Sequence, residues 1–85
     1  MTGKEIARRA GILYDGVIRK RVELEENIGK MVVIDVETGE YGVDELGLES
    51  SRKLHAKRQN AHLFGIRIGY SVAETLGGTM ERSAK

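Results

Sequence analysis

Hydrophobic residues change their spacing along this chain, and each change marks an element. From Thr2 to about Glu26 apolar positions recur at three- and four-residue steps. Ile6, Ala10, Leu13, Val17 and Leu24 form a stripe that Tyr14, Ile18 and Val22 widen, while Arg8, Arg9, Arg19 and Lys20 fall mostly off it. This is the period of a long amphipathic helix. Thr2 and Glu5 have the spacing of a capping box, which starts the helix at the extreme N-terminus. Gly11 and Gly16 each cost about 1 kcal/mol relative to alanine, and one of them is expected to mark a bend or break. Asn27 and Gly29 offer C-cap chemistry.

Between Lys30 and Asp44 the period becomes two. The segment KMVVIDVETGEYGVD reads as a β-hairpin, with Met31 to Val36 as one strand, Glu37-Thr38-Gly39 as the turn and Glu40 to Asp44 as the return strand. Gly39 can close such a turn at positive φ without a Cβ clash. Alternation puts Val32, Ile34 and Val36 on one face and Met31, Val33 and Asp35 on the other. Asp44 or Ser50 then caps a helix running to about Arg58, with Leu46, Leu48, Leu54 and Ala56 inward and Gly47 blurring its start. Ala61 to Tyr70 alternates again and reads as a third strand. Phe64, Ile66, Ile68 and Tyr70 share one face, and Gly65, Arg67 and Gly69 the other. Ser71 with Glu74 predicts a short final helix to Leu76, closed by Gly77-Gly78.

The resulting order, α-β-β-α-β-α, predicts an α+β fold: one small domain over residues 1–78 around an antiparallel sheet, then a flexible tail over 79–85. The first helix is longer than a short hairpin can cover. Its first half is therefore expected to project as an arm and to bury Ile6, Ala10, Leu13 and Val17 on a second chain, which makes a homodimer the expected assembly. Arg67, between two glycines, joins these as a candidate partner contact, with a cross-sheet pair to Asp35 as its purely structural alternative.

Composition narrows the function classes. Eighty-five residues make a small core, and the absence of cysteine removes disulfides and thiolate zinc sites and fits a reducing cytoplasm. No apolar run is long enough to span a bilayer, and the opening residues carry no signal-peptide core. The 14 basic and 13 acidic residues nearly cancel, and aromatic content is 5%, so neither a strong global attraction to nucleic acid nor a base-stacking platform is implied. Local basic clusters still make Arg8, Arg9, Arg19, Lys20 and Arg21 candidate nucleic-acid contacts, with Arg52, Lys53, Lys57 and Arg58 as a second group.

Catalytic constellations are thin. Asp35 and Glu37, in VVIDVETG, resemble the first motif of DEDD-type 3′–5′ exonucleases, in which two such carboxylates hold divalent metal ions. The further aspartates of that pattern are missing, and the same residues read fully as a hairpin turn. His55 and His62 have no second ligand at zinc spacing. Ser50-Ser51 near His55 reads as helix capping, and the glycines at 65, 69, 77 and 78 do not form a phosphate loop. No catalytic residue, metal ligand or cofactor is assigned, and an enzyme is not expected.

The combination GKMVVIDVETGEY, VD and LFGIRIGY resembles a family of small, poorly characterised prokaryotic proteins frequent in cyanobacteria, over roughly Tyr14 to Gly78. The resemblance implies an antitoxin-type partner encoded in a two-gene module, and it transfers no site residue. The expectation is a non-catalytic, regulatory protein-binding module with a heterologous protein partner. A nucleic-acid-binding regulator is the alternative, and a DEDD-like nuclease fragment the remote one.

Overall fold

The structure, a computed structural model, describes residues 1–70. The expected final helix and tail lie outside the described residues. The chain runs through α1 (Gly3–Leu13), a π-helical stretch (Tyr14–Ile18), α2 (Arg19–Val22), a 3-10 turn (Glu25–Asn27), β1 (Met31–Asp35), β2 (Tyr41–Asp44), α3 (Leu48–Lys57) and β3 (Leu63–Arg67). The three strands form an antiparallel sheet in the order β2-β1-β3. The fold is α+β, and the element order matches the reading of the sequence.

Local chemistry accounts for most boundaries. Thr2 caps α1, its hydroxyl accepting the Glu5 backbone N–H at 3.1 Å. In the hairpin, Asp35 N–H donates to Glu40 O at 2.8 Å and Gly39 N–H donates to Asp35 O at 2.7 Å. The loop is thus Val36 to Gly39, one residue longer than the expected turn. Gly39 takes φ +84°, as its position requires.

The sheet is a middle layer. One face carries Val32, Ile34, Val36, Ile66 and Ile68, all buried, and packs on Ala10, Tyr14, Ile18 and Val22 from the N-terminal helical run. Ile6, Leu13, Ile28, Tyr41, Val43 and Phe64 close the edges of this core. The opposite face meets α3, whose buried residues are Ser50 and Leu54, and carries the buried Val33 and Asp35.

This arrangement corrects two expectations. The N-terminal helix does not project as an arm: Ala10 is fully enclosed and Ile6 lies on the sheet. The seam that faces the core is Ala10, Tyr14, Ile18 and Val22, whereas Val17 is 52% exposed and Leu24 44%. Four-residue steps drift by about 40° each on a 3.6-residue helix. The wider π turn, in which Arg19 N–H donates to Tyr14 O, takes up that drift and rotates Val17 outward. Leu46, Leu48 and Ala56 also point to solvent, the two leucines at 68% and 65% exposure, because Ser50 and Leu54 turn the inner face of α3 elsewhere.

The π-shifted seam is testable by truncation. Ile18→Ala should cost about 2–5 kcal/mol of unfolding free energy, and Val17→Ala no more than about 0.5 kcal/mol. Urea denaturation of the two variants measures the difference, and equal losses would contradict the shift.

Candidate functional site

Asp35 ends the central strand with 1% of its surface exposed. A buried carboxylate needs partners, and it has them. Oδ1 accepts the Glu37 backbone N–H at 3.0 Å, and Oδ2 accepts Arg58 Nη1 at 2.7 Å. The other arm of Arg58 donates from Nη2 to Glu37 Oε1, and His62 Nδ1 stands 3.5 Å from Glu37 Oε2, beyond ordinary hydrogen-bond geometry. Burial by itself would raise the Asp35 pKa. The Glu37 N–H, the Arg58 guanidinium and the Thr38 N–H outweigh it and hold the carboxyl below its ordinary value. The Arg58 hydrogen bond likewise lowers Glu37.

The two carboxylates of the exonuclease-like motif therefore converge on a guanidinium, and a divalent cation at this place would have to displace it. Among the described residues no group of three or more His, Asp or Glu side chains is arranged to hold a metal ion. The cluster acts as a clasp that ties the end of α3 to the hairpin loop.

A second fastening holds the start of α3. Asp44 Oδ2 accepts the Gly47 N–H at 2.9 Å, and Oδ1 accepts both the Ser50 N–H and the Ser50 hydroxyl. The Ser50 hydroxyl is the main cause of a lowered Asp44 pKa, with the Ser50, Gly47 and Glu49 N–H groups adding to it against partial desolvation. The Ser50 hydroxyl is thus spent on capping, and His55 lies on the exposed side of the helix. Gly42 makes the contact close, since a Cβ there would stand 2.8 Å from Ser50 Oγ.

Pinned at both ends, α3 runs back along β2 and leaves a cleft of about 510 Å³ beside the strand. Tyr41, Gly42 and Val43 line one side, and Lys53, Leu54 and Lys57 line the other. The hydrogen-bond phase of the sheet decides what β2 presents there. Asp35 and Glu40 form a bonded pair, so Val33 with Gly42 and Met31 with Asp44 follow as bonded pairs in the register. Tyr41 and Val43 occupy the alternate positions, and their N–H and C=O groups point away from β1. Among the described residues no strand pairs with that edge.

The residues singled out from sequence are not brought together. Ala10 is enclosed, Ile6 and Leu13 are half-buried in the core, and Val17, like Ile12, is exposed. Arg67 does not pair with Asp35, because the register sets Arg67 opposite Met31 and Asp35 opposite Leu63. Its Nη1 donates to Gly29 O instead. In the basic group, Arg9 pairs with Glu5 at 3.5 Å, and Arg19 pairs with Asp15 at 3.1 Å and Glu23 at 3.8 Å while standing over the Tyr14 ring. Arg8, Lys20 and Arg21 are exposed. In the sequence the cleft residues Lys53 and Lys57 stand out only as part of a charge cluster, and their four-residue spacing after a glycine-bearing strand is the one signal of a shared role.

No protein-family model, no curated protein and no solved structure matches the chain. Among the described residues no helix is long and apolar enough to cross a membrane.

The clasp has a pH signature. Because the folded pKa of Asp35 is depressed, its contribution to stability is full above the unfolded carboxylate pKa of about 4 and is lost as pH falls through the folded value. Arg58→Ala should lower the melting temperature at neutral pH, and the gap to wild type should close as Asp35 protonates. Thermal melts from neutral pH into the acid range check this, and a gap independent of pH would contradict it.

Proposed function

We propose that the chain is a non-catalytic protein-binding module that takes up an extended segment of another protein along the outer edge of β2. The observation that carries this reading is the row of outward N–H and C=O groups at Tyr41 and Val43 beside an open cleft. Addition of a strand to such an edge draws affinity from main-chain hydrogen bonds and selectivity from the alternating side chains. A regulatory, antitoxin-type partnership is one role for such a module and rests on the sequence resemblance.

The other expected modes have less to support them. A homodimer through the N-terminal stripe loses its motive once Ile6, Ala10 and Leu13 cover the chain's own sheet. Phosphate binding by the basic helix residues is diluted by glutamates and aspartate paired on the same surface.

The test is selection of random displayed dodecapeptides on the immobilised protein, followed by amide hydrogen exchange. Selected binders should slow exchange at Tyr41 and Val43, and they should fail on Val43→Pro. That substitution removes an outward donor and leaves the β1–β2 ladder intact, since Val43 does not bond to β1. Binders that protect a different surface, or that hold equally to Val43→Pro, would refute the proposal.

A further inference from the structure

The side chains around the β2 edge differ on its two faces, and that difference specifies a ligand. Residues Glu40, Gly42 and Asp44 face α3, as the Lys57–Glu40 pair at 3.4 Å and the Gly42–Ser50 contact show. Tyr41 and Val43 face the apolar core layer and are half-buried there. On an added strand the residues opposite Tyr41 and Val43 would extend that apolar face. The residue between them, opposite Gly42, would point toward α3.

Ser50 stands directly over Gly42, and the incoming side chain would enter the cleft that Gly42 and Ser50 line together. Lys53 and Lys57, one helical turn apart, line that space. The rise between them along the helix is about 6 Å, close to the roughly 6.8 Å between same-face residues of a strand. Lys53 makes no ion pair among the described residues, and the Lys57–Glu40 pair is exposed and weak.

From this juxtaposition we infer that the occupant of the cleft is an extended segment with an apolar–acidic–apolar core, its single carboxylate opposite Gly42 and held by Lys53 and Lys57. This rests on the strand-addition reading above and names the partner chemistry of the same site. Specificity comes from the lysines: a neutral or basic residue at the central position would leave Lys53 without a partner and Lys57 with only its exposed pair to Glu40.

The experiment uses the full chain and a blocked nonapeptide with a Val-Glu-Val core flanked by serines and threonines, with binding read by fluorescence anisotropy at two salt concentrations. The core peptide should bind, and more weakly at high salt. Glutamine or lysine at the centre should weaken binding at least about tenfold, as should Lys53→Gln with Lys57→Gln, surface changes that leave the fold in place. For a strand added antiparallel to β2, N-methylation of either core valine should abolish binding, because those amides face Tyr41 and Val43, and N-methylation of the central glutamate should be tolerated. Circular dichroism confirms that each variant is folded.

Equal binding of the glutamate, glutamine and lysine peptides, still lost on valine N-methylation, would overturn the acidic assignment while leaving strand addition standing. Loss of dependence on N-methylation altogether would overturn both. A dimer in sedimentation that excludes the peptide and dissociates in Val43→Pro would give the edge to a second copy of the chain and overturn the inference.

Discussion

A carboxylate with almost no exposed surface sits at the end of the central strand, and the need to compensate it organises the rest of the molecule. Asp35 can stay ionised there only with hydrogen bonds and a cation supplied at short range. The hairpin loop provides the backbone N–H of Glu37, and the residue just after α3 provides Arg58. One ion pair therefore sets both the conformation of the loop and the position where the helix must end. Asp44 does the corresponding work at the other end, and together the two aspartates hold α3 over one half of the sheet.

The layering follows from this division. The N-terminal helical run satisfies the apolar face of the sheet with Ala10, Tyr14, Ile18 and Val22. The second face is only partly roofed, because α3 is short and is pulled toward β2 and β1 by its two fastenings. What is left open is backbone as much as side chain. The close Gly42–Ser50 approach brings the helix down onto the strand.

Local signals made much of this legible in the sequence. The hairpin, the positive φ of Gly39, the Thr2 cap and the two-residue alternation through Phe64, Ile66 and Ile68 each depend on neighbours within a few positions, and each is present. The N-cap of α3, by contrast, is Gly47 and neither Asp44 nor Ser50. The failures are of another kind. A regular helical stripe turns Val17 inward, and no residue pattern announces a π turn unambiguously. Hydrophobicity alone turns Leu46 and Leu48 inward, but the Asp44 bonds to Gly47 and Ser50 set the helix phase, and Ser50 and Leu54 take the inner face. The Asp35–Arg58 pair joins residues far apart in sequence, and composition offers several equally charged candidates. The cleft was invisible for the same reason, since it exists only when β2 and α3 are placed side by side.

A strand edge that is unpaired among the described residues is also a hazard, because it serves as a template for any other edge, including those exposed by unfolded neighbours. β2 is only four residues long, which limits how many main-chain bonds an intruder can form. Lys53 adds a second filter. A purely apolar strand laid along this edge would have to strip water from the Lys53 ammonium and give nothing back, which disfavours amyloid-like stacking there.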